Sequence, residues 1–358
     1  MNDCSYYDFD FFEYDLNKIQ SFPDKHSRGL KKYSALLPVQ LLENLSLGEG
    51  QTALTKAQNL GSHYGYKNLF VKHEEQNPTG NFKDRESLIA VTVAKERGLK
   101  EIVITSSGNA ALSMAAYAKN AGILCRCFVP SSTSKEKKDL IRFFGGVLEE
   151  IDGNYEQVYR YVADHFDKAI NFTSGINSER IEGNKTIAYE IWEEMGVPDV
   201  VVVPCGNGGN LAGIWRGFAD LKQLGKTNSI PIMVGVQVTG AAPLKQALEN
   251  QTDYCIWKNS VESVAEGILA EESYCSPKAV EALNSSKGFI VEVSDGEIIT
   301  ALKAVTSLES LLIEPTSAAA FAAVPKLEAH GVKKDASVVV VSTGSGMKML
   351  EEIMHLSL

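Results

Sequence analysis

A lysine at the start of a helix-like segment is the residue of this sequence best placed for covalent chemistry. Lys83 lies in Asn77–Arg85 (NPTGNFKDR), a turn that leads directly into that segment. The first turn of a helix carries partial positive charge, which disfavours an ammonium group. An amine kept uncharged and half-buried is a nucleophile, and its usual role is an imine with an aldehyde cofactor. The alternative is an ordinary helix lysine paired with Asp84 or Glu86.

A glycine-rich loop offers a place for a phosphate group. Pro204–Gly213 contains Gly206, Gly208 and Gly209 within four positions. Such glycines let the backbone fold tightly and direct several N–H groups at one ligand, beside the dipole of the following helix. The loop matches neither G-x-G-x-x-G nor G-x-x-x-x-G-K-[ST], which disfavours NAD and ATP. The alternative is a glycine turn without a ligand.

Two further loops carry hydroxyl groups after predicted strands. Ser106, Ser107 and Asn109 stand at the start of a predicted helix, where hydroxyls and free amides bind carboxylate or phosphate. An ordinary N-cap explains the same residues equally well. Thr343 follows the last predicted strand and would place a hydroxyl at the edge of a sheet, unless it is only a turn residue.

Strand-like and helix-like segments alternate, which predicts parallel sheets flanked by helices on both faces. In such sheets ligands bind outside the carboxyl ends of the strands, and all four loops above follow strand candidates. The strand candidates are Leu69–Lys72, Glu101–Thr105, Leu124–Val129, Val147–Ile151, Ala169–Phe172, Val200–Val203, Ile232–Val238, Phe289–Val293 and Val338–Val341. The helix candidates include Glu86–Arg97, Ala110–Ala121, Asn184–Met195, Asn210–Leu221 and Ser317–His330.

Length and composition indicate a globular α/β protein with two domains. The chain has 358 residues and a net charge of −10, which argues against nucleic acid or an anionic membrane as the main partner. The acidic, aromatic N-terminus lacks the features of a secretion signal, and no apolar run is long enough for a membrane span. The six cysteines are scattered without CxxC pairs, which predicts reduced thiols, no metal site and a cytoplasmic location.

The domain organisation predicted from these patterns has three parts. Residues 1–40 form an N-terminal extension, and residues 41–95 and 181–358 form the larger domain. Residues 96–180 form a smaller α/β domain inserted into it.

At this point several motifs resemble one family. From about Leu36 to Met347 the chain is similar to the fold type II, or tryptophan-synthase-β-like, pyridoxal-phosphate enzymes, and within them to the threonine synthase group. The motifs that carry the resemblance are Gly48–Thr52, Asn77–Arg85, Ser106–Asn109, Arg180–Thr186, Gly206–Asn210 and Thr343-Gly344. The resemblance implies two domains with open sheets and an active site in the cleft between them.

The resemblance also implies roles for individual residues. Lys83 would form the imine with pyridoxal 5'-phosphate, and Asn109 and Thr343 would face the ring hydroxyl and the ring nitrogen. The cofactor phosphate would be held by Gly206, Asn207, Gly208, Gly209 and Asn210. A small anionic amino-acid substrate would be bound by Ser106, Ser107, Ser174, Asn177 and Arg180.

The implied reaction converts O-phosphohomoserine and water to threonine and phosphate through the Lys83 aldimine, in a homodimeric enzyme. Three alternatives remain open: dehydration of threonine or serine, β-replacement on phosphoserine or acetylserine, and a non-catalytic small-molecule-binding paralogue. Some residues depart from the family pattern. Ala110 and Gly175 stand where hydroxyl residues are expected, and Glu86 stands where a small or apolar residue is commoner.

Overall fold

The computed structural model describes residues 10–19, 21–257, 261–270 and 272–357. The strands in this part of the chain are β1 (Leu54–Lys56), β2 (Asn68–His73), β3 (Glu101–Thr105), β4 (Leu124–Pro130), β5 (Val147–Ile151), β6 (Val200–Pro204), β7 (Ile232–Val238), β8 (Phe289–Val293) and β9 (Ser337–Ser342).

The α-helices are α1 (Gln58–Tyr64), α2 (Lys83–Glu96), α3 (Asn109–Ala121), α4 (Lys135–Phe143), α5 (Tyr155–His165), α6 (Lys185–Met195), α7 (Gly209–Gln223), α8 (Pro243–Glu249), α9 (Ser276–Ser286), α10 (Asp295–Glu309), α11 (Pro315–Ala323) and α12 (Leu350–Ser357). Short 3-10 segments lie at Leu16–Lys18, Gly29–Leu36, Glu43–Leu45, Glu74–Gln76, Glu179–Asn184, Glu266–Ile268, Val324–His330 and Gly346–Met349.

The chain divides into two compact units. The first comprises the described residues up to Gln51 together with Asn77–Thr186, and the second comprises Thr52–Gln76 and the described part of Ile187–Leu358. Predicted strands and helices alternate as expected, and the mixed α/β architecture with parallel sheets is confirmed.

The second unit is built on a six-stranded sheet in the order β1-β2-β9-β6-β7-β8. Only β1, at one edge, runs antiparallel to its neighbour; the other pairings are parallel. Val200–Pro204 is buried at every position, as expected for a central parallel strand covered on both faces. The alanine-rich α11 is buried along most of its length and packs into the same core as β6 and β9.

The first unit contains a three-stranded parallel sheet in the order β3-β4-β5. Val103 and Phe128 form its core with Val158 and Val162 of α5. Helix α2 is buried on nearly every side, because it packs against α3 and against the 3-10 segment Glu179–Asn184. A helix in such surroundings needs no single apolar stripe, since every face meets protein.

The structure corrects two element predictions. The strand predicted at Ala169–Phe172 is wrong: among the described residues only Asn171 pairs, in a single bridge to Val103, because turns at residues 168–170 and 174–176 leave no room for a longer strand. The helix predicted at Ser317–His330 is α11 followed by a 3-10 segment, because Pro325 supplies no N–H to continue the α-helix.

The compact units also divide the chain at positions other than the predicted domain bounds. Residues 77–95 belong to the unit with the three-stranded sheet rather than to the one with the six-stranded sheet. The reason is the packing of α2 on α3 and on Glu179–Asn184 within that unit.

No helix among the described residues is both long and apolar enough to cross a membrane. In the same residues no group of three or more His, Cys, Asp or Glu side chains is placed to hold a metal ion. Cys125, Cys127, Cys205, Cys255 and Cys275 are free thiols, and Cys4 lies outside the described residues.

Candidate active site

Lys83 is the first residue of α2, so the prediction that its turn leads directly into a helix is confirmed. The Asn81 side chain accepts a hydrogen bond from the Lys83 amide at 3.0 Å and holds the turn. The Lys83 side chain is 18% exposed, and its Nζ donates to Glu86 Oε1 at 2.9 Å. The pairing with Glu86 that the simpler interpretation required is therefore present, but on a lysine that is mostly buried.

Glu86 is the centre of a buried polar cluster. Its Oε1 also accepts from Asn184 Nδ2 at 2.9 Å, and its Oε2 lies 2.6 Å from a terminal nitrogen of Arg180. Burial opposes ionisation of this carboxyl, but Lys83, Arg180 and Asn184 outweigh it and hold the pKa of Glu86 below its ordinary value. Glu86 is therefore an anion between two cations.

Arg180 has no exposed surface, and its NH1 group donates to the Phe172 carbonyl at 2.6 Å. The segment that carries Arg180 approaches α2 so closely that a Cβ on Gly183 would collide with the Arg85 carbonyl. Only glycine fits at position 183. This contact fixes Arg180 and Asn184 against the side of α2 that carries Glu86.

Asn177 and Ser174, the two other predicted substrate residues near Arg180, make different contacts. Asn177 accepts from the Arg180 amide at 3.0 Å and donates to Glu179 at 2.9 Å, so its amide holds the segment together. Ser174 is partly exposed, and its carbonyl accepts a bond from Tyr159. Gly175 has φ +85°, a backbone conformation in which a serine would be strained.

Ser106, Ser107 and Asn109 lie where β3 gives way to α3, and all three are partly exposed. Helix α3 has Gly108 as its N-cap, and no side chain caps it. Ser106 Oγ instead accepts from the Gly108 amide at 3.2 Å. The structure thus places these residues at the start of a helix, which is where backbone N–H groups can bind an anion.

In the second unit, the glycine loop leads from β6 into α7. Gly208 has φ +86°, and a Cβ on it would lie 2.7 Å from the Ala279 side chain. Ser273 Oγ donates to the Gly206 carbonyl at 2.7 Å, and the Cys275 amide donates to the Asn207 carbonyl at 2.9 Å. Two carbonyls of the loop are therefore held by the segment that leads into α9.

Asn210 follows this loop in the first turn of α7. It is buried, yet among the described residues neither its Oδ1 nor its Nδ2 has a hydrogen-bond partner. An unsatisfied buried amide is costly and indicates that a ligand completes it. The fifteen-residue α7 adds the positive end of its dipole at the same place.

Thr343 lies directly after β9 and is 4% exposed. Its hydroxyl lies 3.0 Å from that of Ser317, which also accepts a hydrogen bond from the Gly344 amide at 2.8 Å. Glu314 packs against Gly344, where a Cβ would lie 2.6 Å from its carboxylate. The loop is therefore held from the start of α11.

Several supporting residues were not found from the sequence. Asn184, Ser273 and Ser317 each contact a predicted site segment, but they are far from it in the chain. Glu182 is another: it accepts from Tyr14 Oη at 2.8 Å and from the Phe12 amide at 2.9 Å, which ties the N-terminal segment to the Arg180 segment. For Asn184 and Glu182 the signal was their place inside the motif Arg180–Thr186.

With this geometry in view, the chain belongs to the family of pyridoxal-phosphate dependent enzymes, whose family model matches residues 45–344. It is similar to curated threonine synthases. The protein of Methanocaldococcus jannaschii is 36% identical over 330 residues, which cover 90% of this chain and 82% of that protein. The protein of Methanosarcina acetivorans is 35% identical over 347 residues, covering 96% and 84%.

Solved structures share the fold. A fungal L-serine ammonia-lyase from Rhizomucor miehei matches with a TM-score of 0.72 and 20% identity, covering 86% of this chain and 98% of that one. Threonine deaminase isoform 2 from Solanum lycopersicum matches with a TM-score of 0.70 and 20% identity, covering 86% and 88%. The fold is therefore the one known as fold type II, and the protein is a pyridoxal-phosphate-dependent enzyme.

The residues present fit that cofactor. The unsatisfied amide of Asn210 and the tightly folded glycine loop suit a phosphate group, and Lys83 supplies an amine for the aldehyde. Thr343 offers a neutral hydroxyl rather than a carboxylate.

Proposed function

We propose that this enzyme is a lyase of the threonine synthase type, which converts O-phosphohomoserine and water to threonine and phosphate. The observation that carries the proposal is the 36% identity to a curated threonine synthase over 330 residues, since that match covers 90% of this chain. A homodimeric, cytoplasmic enzyme is part of the same proposal and rests on the resemblance.

The cofactor supplies an aldehyde that condenses with amines and a ring that accepts electrons from the substrate carbons. In the proposal, Gly206, Asn207, Gly208, Gly209 and Asn210 hold its phosphate. Asn109 and Thr343 orient its ring. Because Thr343 is neutral, it does not force a proton to stay on the ring nitrogen.

Lys83 has two roles in this proposal: it holds the cofactor and it moves protons at the substrate carbons. When it is not bound to the cofactor, the Lys83 amine donates a hydrogen bond to Glu86 at 2.9 Å. Glu86 is therefore placed to hold the amine in position whenever that amine is free.

The substrate is held by its charged ends. Ser106 and Ser107, at the start of α3, bind its carboxylate. The predicted site for the distal phosphate consists of Ser174, Asn177 and Arg180. The planar guanidinium of Arg180 suits a phosphate group because it can donate two parallel hydrogen bonds.

One observation favours a second reaction. Arg180 is paired with Glu86, so its charge is already opposed inside the protein. A substrate without a phosphate, such as threonine or serine undergoing dehydration, or acetylserine in a β-replacement, requires no distal cation.

The decisive experiment gives the purified, cofactor-loaded enzyme a panel of phosphorylated and free amino acids. The proposal predicts one threonine and one phosphate from each O-phosphohomoserine consumed. It also predicts a yellow protein that absorbs at about 410 nm. Ammonia and a 2-oxo acid from threonine would instead identify a dehydratase. A protein that stays colourless with added cofactor and turns over none of these substrates would identify a non-catalytic binding protein. Light scattering on the same preparation tests the homodimer.

A further inference from the structure

The Glu86 carboxylate is paired with Arg180, which is the cation that the proposed substrate phosphate requires. Its Oε2 lies 2.6 Å from Arg180, and both side chains are buried. Two anions on one buried guanidinium repel each other strongly, because little water is present to screen them. A phosphate that reaches Arg180 must therefore displace Glu86, or one proton must be bound with it.

Displacing Glu86 is opposed by its other contacts. Asn184 donates to its Oε1 at 2.9 Å, and Asn184 itself is held by the close approach of Gly183 to α2. Arg180 is fixed as well, through its bond to the Phe172 carbonyl. If Glu86 takes up a proton instead, neither its side chain nor Arg180 has to move.

Of the charged groups around Arg180, Glu86 is the one that we expect to take up a proton when an anion binds. Of the residues that the structure describes, Lys83 and Arg180 are the cations that face Glu86, and when the Lys83 amine is bound to the cofactor Arg180 remains. The acids of the adjoining segment have other partners, since Glu179 pairs with Arg97 and Glu182 pairs with Lys185. Asp84 and Arg85 on α2 lie in separate contacts, with Ser113 and with Thr186.

We propose that Glu86 is a specificity-determining residue that competes with the distal anion of the substrate for Arg180, so that this anion is bound together with one proton. The proposal rests on the proposed function only in assigning Arg180 to the distal anion. It follows that the site favours distal groups of low charge, and that neutralising Glu86 strengthens the binding of doubly charged ones.

Sulfate is the probe for this competition, because it stays doubly charged at neutral pH and any proton taken up must go to the protein. Sulfate is titrated calorimetrically into the cofactor-loaded enzyme in two buffers with different heats of ionisation, which measures proton uptake. The wild-type protein is expected to bind sulfate weakly with uptake of about one proton. In Glu86→Gln the affinity is expected to rise about tenfold or more and the uptake to disappear.

Matched variants identify the groups involved. Glu96→Gln, an exposed acid at the end of the same helix, should behave as the wild type. Asp84→Asn should keep the proton uptake, and Arg180→Gln combined with Glu86→Gln should remove the gain in affinity. Glu86→Ala serves as a second neutral variant if Glu86→Gln unfolds, and cofactor absorbance reports folding in each case.

Equal sulfate affinity in the wild type and both neutral variants would overturn the inference, and so would wild-type binding without proton uptake. Failure of the proposed function is a different result: the enzyme would release no phosphate from the substrate panel, whatever the sulfate titration shows.

Discussion

The Ser317 hydroxyl at the start of α11 lies 3.0 Å from the Thr343 hydroxyl and holds the loop after β9 in place. The same oxygen accepts from the Gly344 amide at 2.8 Å, and both hydroxyl-bearing residues are buried. A single serine thus supports the residue that we assign to the cofactor ring nitrogen.

Ser317→Ala is expected to lower the free energy of unfolding by about 1–3 kcal/mol, because it leaves a buried amide without its acceptor. Urea denaturation measures the change. Ser307→Ala, an exposed serine on α10, is the control and should stay within about 0.5 kcal/mol of the wild type. Equal stability of the two variants would contradict a supporting role for Ser317.

Asn210 should matter for cofactor affinity and not for the stability of the cofactor-free protein. Its buried amide has no partner among the described residues, so Asn210→Ala removes no internal hydrogen bond. We expect the cofactor to bind about tenfold more weakly, which corresponds to about 1.4 kcal/mol. Fluorescence titration of the cofactor-free variant measures this affinity, with the exposed Asn284→Ala as control. Unchanged cofactor affinity would remove Asn210 from the phosphate site.

The local parts of the candidate site were predictable from the sequence, because each depends on neighbouring residues. The turn before α2 and the glycine loop before α7 both lie where their motifs indicated. Gly208 needs its left-handed backbone within its own turn, so a single segment carries the signal.

The cluster around Glu86 was not predictable in the same way. Glu86 and Asn184 are 98 positions apart, and nothing in either segment indicates the other. From the sequence, Glu86 was only a possible partner of Lys83 and a departure from the family pattern. The strand predicted at Ala169–Phe172 failed for a related reason: its composition suits a strand, but strand formation depends on a partner that pairs there at one residue only.

Lys83→Ala should abolish covalent attachment of the cofactor. Borohydride treatment followed by mass spectrometry of peptides is expected to show the adduct on Lys83 in the wild type and no adduct in the variant. Turnover should fall by about 10²-fold or more, because the proton-transfer group is lost as well. Lys95→Ala is the control, since Lys95 lies on the same helix but donates to the Ala121 carbonyl. Normal turnover in Lys83→Ala would refute the assignment.

Asp84, the neighbour of Lys83, is expected to make stability depend on pH in the direction opposite to that of a paired carboxylate. Burial raises the pKa of Asp84 to about 6 from an ordinary value of 3.8, although Ser113 and Thr79 donate hydrogen bonds that lower it. Because the folded-state value is the higher one, its contribution to stability is fully present below pH 3.8 and is lost as pH rises through about 6.

Asp84→Asn removes this titration, so the stability of the wild type relative to the variant should fall by about 2.4 kcal/mol as pH rises from about 4 to 7. Urea denaturation at several pH values measures the difference, and the asparagine's altered hydrogen bonds with Thr79 shift it by a constant amount that does not affect the slope. Asp139→Asn, an exposed acid on α4, is the control and should show no such trend. A difference that stays constant across this range would mean that Asp84 is ionised in the folded protein as readily as in the unfolded chain.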